Sequence, residues 1–396
     1  MQTRQLFLQH VAQTSETPLQ LEVESATGIY ITDTNKKVYI DLISGIGVCS
    51  LGHCHPEVVK AIQYQAQQYM HTMVYGEHIQ MPQVALATLL ADILPEKLNS
   101  VYFTNSGTEA SEGAMKLAKR FTGRSEFVSF KNSYHGSSQG ALSLMDNEYF
   151  TQAFKPLLPD VKFMQFNCMD DIELITNKTA AVFIELVKAE CGVQIMTKEF
   201  AKAIRKKCNE TGTLLVLDEI QTGFGRTGKL FAFEHFEIIP DILLIGKAFG
   251  AGMPLGAFIA DKKIMDTLSY NPVLGNITTF GGNPVCCAAA FAGLKYLLQN
   301  EALMNVCHRE HLYRTRLQHP LIKDFRSLGL LAAIEFENFE TMKKVMDSCL
   351  AAGVITDWFL FADNCLRIAP PLIITEEEVN KTIDVILNSI HQASIK

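Results

Sequence analysis

The sequence predicts an α/β fold: a large domain on a mostly parallel sheet flanked by helices, plus a smaller α+β domain. Three observations carry this. Between about residues 95 and 260, short apolar runs (VYF, FVSF, VFI, LLVL, DILLIG) alternate with helical patterns, as a parallel sheet with crossover helices requires. The runs are continuous, as strands buried on both faces read. The last stretch changes style, mixing strands (GLLAAIEF, LRIAPPLII) with helices (FETMKKVMDSCLAAG, TEEEVNKTIDVILNSIHQ). At 396 residues the chain also exceeds one ordinary core. The expected division is an N-terminal segment, 1–55, packing with the small domain, a large domain, 56–285, and a small domain, 286–396.

Taken in order, GIYITDT and VYIDL are β-branched and aromatic, with the turn Asn35-Lys36-Lys37 between them, and predict a strand pair. PEVVKAIQYQAQQYM predicts a helix with Pro56 at a tolerated first-turn position. QVALATLLADIL predicts a second, ended near Pro95. The helix opened at Ser106 carries Ala110, Ala114, Leu117 and Phe121 on one expected core stripe, with Lys116, Lys119 and Arg120 elsewhere. FAKAIRKKCNETG predicts a helix closed by Gly212 before the strand LLVL. After Pro284, CCAAAFAGLKYLLQ predicts a long apolar helix.

Composition narrows the function classes. Apolar residues make up 48% and charged residues 19%, which suits a globular enzyme with a large interior or subunit interface. A net charge of −7 and no basic stripe argue against nucleic acid and anionic membrane surfaces as partners. No apolar stretch reaches bilayer length, and the first twenty residues lack a signal-peptide core. Ten cysteines, single except for Cys286-Cys287 and without a CxxC pair, predict a reducing, cytoplasmic setting.

Four apolar runs end in polar groups. VYF leads into Thr104-Asn105-Ser106-Gly107-Thr108, VFI into Glu185, LLVL into Asp218, and DILLIG into Lys247. Parallel strands place such groups along the carboxyl edge of one sheet, where open α/β sheets bind ligands. A lysine there, on the Gly-rich turn AFGAGMPLG, is desolvated and made nucleophilic, as Schiff-base chemistry requires. An aspartate buried at a strand end needs a cation, and a protonated pyridine nitrogen is one. Gln221 stands within reach of a ring hydroxyl. Ser106, Gly107 and Thr108 open a helix, whose free N–H groups and dipole favour a phosphate. Tyr134, in Tyr134-His135-Gly136 after FVSF, offers a ring to stack on a heterocycle. Together these groups describe a site for pyridoxal 5'-phosphate. Each has a plainer reading alone: a lysine snorkelling from a strand end, an aspartate capping the next turn, a Ser/Thr helix cap, a core tyrosine.

From GIYITDTNKKVYIDLISGIGVCSLGHCHPEV through TNSGTEASEGAMKLAKR, LLVLDEIQTGFGRTGK, GKAFGAGMPLGA and TTFGGNPVCCAAA to LRIAPPL, the chain resembles class III (ω-amino) pyridoxal phosphate aminotransferases, in particular the acetylornithine and ornithine branch. The resemblance implies fold type I with a seven-stranded type of sheet. It implies Lys247 as the lysine that bonds the cofactor aldehyde, Asp218 at the pyridine nitrogen and Gln221 at the ring hydroxyl. It implies Tyr134 and His135 beside the ring, and Ser106, Gly107 and Thr108 around the phosphate. Thr279 in TTFGGNP resembles a threonine that reaches the phosphate of a neighbouring subunit, which implies a homodimer with shared sites. Glu185 and Glu190 fall where the family has EPxQGEGG, and Arg367 resembles the arginine that takes the carboxylate of 2-oxoglutarate. The expected reaction is ping-pong transfer of an amino group from an ω-amine donor to that 2-oxo acid. The relation of Glu190 to Arg367 predicts a switch, with the arginine neutralised for an ω-amine and freed for a dicarboxylate.

Two departures bear on the donor. EPxQGEGG appears as Glu185-Leu186-Val187-Lys188-Ala189-Glu190-Cys191-Gly192, and the family's HGRT appears as His135-Gly136-Ser137-Ser138. Loss of that arginine points to a second donor class, diamines or other ω-amines such as putrescine or 4-aminobutyrate. A fold-type I aminomutase shares the same lysine, aspartate and cradle. His53-Cys54-His55 is too tightly spaced for a tetrahedral metal site, and GFGRTGK lacks P-loop spacing.

Overall fold

The computed structural model describes residues 3–299 and 305–395. Its centre is a seven-stranded sheet in the order Ser100–Thr104, Gly256–Ala260, Ile242–Ile245, Leu214–Asp218, Thr179–Ile184, Glu126–Phe130, Val161–Met164. Gly256–Ala260 runs antiparallel to both its neighbours and the other strands run parallel to one another. Thr179–Ile184, Leu214–Asp218 and Ile242–Ile245 are buried at every residue, which is why they read as unbroken apolar runs. Gly256–Ala260 is buried throughout as well, yet its Gly-Ala-Phe-Ile-Ala composition carries little strand signal, and the sequence reading did not name it.

The helices follow their predicted signals closely. Pro56–Gln68 and Met81–Ile93 each hold proline in the first turn, and Lys198–Thr211 ends on Gly212 at a φ of 65°. Gly107–Thr122 buries Ala110, Ala114, Leu117 and Ala118, but Phe121 is 44% exposed. The predicted stripe is corrected at its end: the buried face turns through Ala118 and leaves Phe121 outside. Pro284–Gln299 packs on Pro56–Gln68 and Met81–Ile93.

Two smaller four-stranded sheets and a two-stranded pair, Val187–Lys188 with Gln194–Ile195, accompany the central sheet. Val23–Thr27, Tyr30–Asp33 and Val38–Asp41 are joined by Val354–Ile355, parallel to Val38–Asp41, so N-terminal and C-terminal segments share a sheet. The first of these strands was not predicted. Asp324–Ser327, Ala332–Glu335, Ala362–Ile368 and Asp357–Phe359 form the other. The predicted strand LRIAPPLII ends at Ile368, because Pro370 and Pro371 have no N–H to continue a ladder. The helices Phe339–Ala351 and Glu376–Ser394 both form, the latter opened by a Thr375–Glu378 capping box. No helix among the described residues is long and apolar enough to cross a membrane.

Candidate active site

Thr104, Glu185, Asp218 and Lys247 stand at or just beyond the carboxyl ends of four sheet strands, along one edge. A cavity of about 310 Å³ opens there, lined among others by Gly107, Thr108, Tyr134, His135, Glu185, Glu190, Asp218, Gln221 and Lys247. Nine of the twelve residues named from sequence therefore converge. Ser106 lies just outside the lining, as the N-cap whose side chain accepts from Glu109 N. Arg367 sits behind Glu190. Thr279 does not line the cavity and is exposed.

Lys247 follows Ile242–Ile245 at a φ of 48°, on the turn leading to Gly250. Burial and the Arg367 charge hold its ammonium below the usual lysine range, against the pull of Glu190, Asp218 and Glu185. Its amine has no hydrogen-bond partner among the described residues. A lysine so placed carries more of the unprotonated, nucleophilic form than one in water.

Asp218 is 7% exposed and uses both oxygens. Oδ1 accepts from Ile220 N at 3.0 Å, and Oδ2 lies 2.8 Å from His135 Nδ1. The turn-capping contact of this aspartate is thus present, and its other oxygen pairs with a histidine. Burial weighs against a charged His135, but the Asp218 bond and charge, with Glu185, outweigh it and raise its pKa. His135 is thereby an anchor for Asp218, a role that nothing in the sequence distinguishes from direct ligand contact.

Glu185 accepts from Tyr134 N at 3.0 Å and is buried, which pushes its carboxyl up to about 7, with Asp218 adding to the rise. Tyr134 is half-buried, and its hydroxyl lies 3.0 Å from Ser137 Oγ. Glu190 Oε2 meets an Arg367 guanidinium nitrogen at 2.8 Å, and its Oε1 accepts from Gln221 Nε2 at 3.1 Å. Burial opposes ionisation of Glu190, but the charges of Arg367 and Lys247 prevail and hold its carboxyl low.

These residues fit pyridoxal phosphate on three observations. Gln221 Oε1 is buried and unpartnered at the cavity wall. Gly107 N and Thr108 N, at the helix start, have no acceptor among the described residues. Gly136, at a φ of 128°, brings its backbone so near Thr108 that a Cβ would stand 2.3 Å from Thr108 Oγ1.

Other sequence features have different work. His53 pairs with Asp41 at 2.8 Å, and His55 packs edge-on against Tyr296. No group of three or more His, Cys, Asp or Glu able to hold a metal occurs among the described residues. Arg226, from GFGRTGK, is fully buried and donates to Leu330 O, Pro370 O and Ser50 Oγ. Glu219, which the sequence reading passed over, accepts from Thr222 Oγ1, Ala232 N and Phe233 N and holds the loop between.

Comparison with known proteins agrees with this geometry. The family model described as aminotransferase class-III matches residues 11–390. An acetylornithine aminotransferase of Archaeoglobus fulgidus is 36% identical over 381 residues, covering 96% of this chain and 98% of that protein. One from Methanosarcina mazei is 37% identical over 373 residues, covering 92% and 91%. Among solved structures, the ornithine aminotransferase from Toxoplasma gondii superposes with a TM-score of 0.91 at 28% identity, covering 99% of this chain and 96% of that one. A transaminase from the marine bacterium Virgibacillus gives 0.92 at 27% identity and 98% coverage of both. The seven-stranded sheet, the lysine-bearing edge and a family match over nearly the whole length lead to one statement: this chain belongs to the class III aminotransferases and is a pyridoxal phosphate-dependent transaminase of fold type I.

Proposed function

We propose that this enzyme moves the amino group of an ω-amine donor, of the acetylornithine or ornithine kind, to 2-oxoglutarate in two half-reactions on one cofactor. The observation that carries this is the buried Glu190–Arg367 pair at the cavity edge. A guanidinium is the natural bidentate partner of a dicarboxylate, and a neighbouring glutamate silences it when the other substrate carries no such group.

The chain's residues divide the work. Bound pyridoxal phosphate supplies the ring that delocalises electrons left on the substrate carbon. Asp218, steadied by His135, would hold a proton on the ring nitrogen. The Lys247 amine would take the proton from the substrate carbon and later give it up, acting as base and then acid. Gln221 Oε1 would take the ring hydroxyl, Tyr134 would pack against the ring, and the Gly107 and Thr108 N–H groups would hold the phosphate.

A second reading of the donor rests on Ser137. Among the described residues no arginine lines the cavity, Arg367 being held behind Glu190, and Ser137 occupies the wall. Diamines and other ω-amines without a far carboxylate therefore fit this wall as well. Absorbance change of the bound cofactor, scored with acetylornithine, ornithine, 4-aminobutyrate and putrescine, tests the assignment. Inertness toward all four would overturn it, and 2-oxoglutarate consumed per amine separates transamination from an aminomutase.

The same proposal includes a homodimer in the cytoplasm and the division at residues 55 and 285. Support for the dimer is an apolar surface on which Met70, Ile79, Met81, Val273 and Phe280 are exposed, Ile79 at 92%. Its two segments are tied by Gln83 to Gly282 O and by Asn283 to Met70 O, and the exposed Thr279 belongs to it. A second copy of this chain is its proposed cover.

A further inference from the structure

The strap 185–191 reaches the Tyr134-bearing turn at three places. Glu185 Oε2 accepts from Tyr134 N at 3.0 Å, Lys188 Nζ donates to Lys131 O at 2.6 Å, and Cys191 Sγ donates to Asn132 O at 3.0 Å. Three side chains of one short segment thus hold three residues of a four-residue stretch. That stretch is conformationally demanding, since Asn132 has a φ of 52°.

Lys188 is an expensive choice for this place. It is 4% exposed, and no carboxylate lies within ion-pair distance of it among the described residues. Among the described residues its ammonium donates to the Lys131 carbonyl, lies 5.0 Å from the Phe166 ring and meets the Cys191 thiol, with the Glu185 carboxylate felt only at longer range. A buried cation with no directly paired carboxylate is costly, and an apolar residue would pack a purely structural position better. Cys191 is equally committed: it is buried, and its thiol spends its one donor on a backbone carbonyl.

We propose that Lys188 and Cys191 are positioning residues that fix the Tyr134 turn, and with it the ring of Tyr134 and the His135 contact to Asp218, for cofactor binding. The inference rests on the pyridoxal phosphate site assigned above. Neither side chain touches the reacting atoms. Each acts through a backbone carbonyl, of Lys131 or Asn132, four and three positions before His135.

Parent, Lys188→Met, Cys191→Ala and Cys191→Ser proteins test this through pyridoxal phosphate affinity of the apoprotein and visible circular dichroism of the loaded protein. Melting of each apoprotein is recorded alongside. Loss of one clamp is expected to raise the cofactor Kd about tenfold, the scale of one hydrogen bond to a buried group. The induced dichroic band should weaken in Lys188→Met and Cys191→Ala. Cys191→Ser keeps a donor at the same place and should stay within about twofold of the parent. Parent-like Kd and dichroism in Lys188→Met and Cys191→Ala would overturn the proposal, even with lowered melting, since that marks support of the fold alone. Cys191→Ser as impaired as Cys191→Ala would also overturn it, because packing would then be the cause. If Lys188→Met proves insoluble, the cysteine pair decides. A parent that binds no pyridoxal phosphate defeats the site assignment itself, and the clamp with it, whereas a binding parent with unaltered variants defeats only the clamp.

Discussion

Glu190 Oε2 stands 2.8 Å from an Arg367 guanidinium nitrogen, with both side chains buried at the rim of the lysine-bearing cavity. The pair does not stand alone. Arg367 also donates to Trp358 O and lies over the Phe359 ring at 4.4 Å, while Leu360 N and Gln221 Nε2 donate to Glu190. Arg367 therefore keeps neutral contacts when its carboxylate partner is lost, which makes a two-position guanidinium workable.

Glu190→Ala should separate the two half-reactions. The ω-amine half-reaction is expected to slow about tenfold or more, because a bare Arg367 is left facing an uncharged substrate end. The dicarboxylate half-reaction should hold its rate. Breaking a buried pair from one side also costs about 3–5 kcal/mol of stability, so melting must be recorded in parallel. Single-turnover absorbance traces give both rates, and an unchanged ratio would remove the switch.

Ser137→Arg should turn the donor preference. Ser137 is exposed at the cavity wall, and its hydroxyl meets Tyr134 OH. A guanidinium placed there is expected to raise kcat/KM for a donor with a far carboxylate by about tenfold relative to putrescine. Competition between ornithine and putrescine in one vessel measures the ratio.

Stability should fall as pH rises from about 4.5 to 7. Burial pushes the carboxyls of Glu185 and Glu219 up to about 7, so each contributes stability that is complete below the unfolded value near 4.5 and lost through the folded one. His135, raised from 6.5, acts in the same direction but only above about pH 6.5. Glu190 is held low, and its contribution is lost only on going below that window. Glu219→Gln should flatten the apoprotein's melting temperature between pH 5 and 8, measured by calorimetry.

Arg226→Lys should lower stability by roughly 2–4 kcal/mol while leaving the cavity intact. The guanidinium joins Ser50, Leu330 and Pro370, three segments distant in sequence, and a single ammonium cannot span them. Burial brings its pKa down to about 10 against the pull of the Asp41 charge, with no carboxylate at ion-pair distance among the described residues. Chemical denaturation of apoprotein, with cofactor affinity as the control, measures the difference.

The candidate site was largely legible because its groups sit at strand ends, where one local pattern of an apolar run closed by a polar residue encodes both burial and position. Lys247, Asp218 and Glu185 show it. What escaped was relational. His135 anchors Asp218 from 83 positions away, and Lys188 and Cys191 grip carbonyls 57 and 59 positions away, so no spacing rule announces them. Phe121 escaped for a different reason, since a helical repeat fixes a face but not the point where the face leaves the core. Gly256–Ala260 escaped because small residues bury well in a strand without marking one.

The most direct test of the account is borohydride reduction of protein loaded with pyridoxal phosphate, followed by proteolysis and mass mapping. Covalent label on the peptide carrying Lys247, lost in Lys247→Ala, is the expected result. A protein that stays colourless with pyridoxal phosphate, or that carries the label on a different lysine, would contradict it.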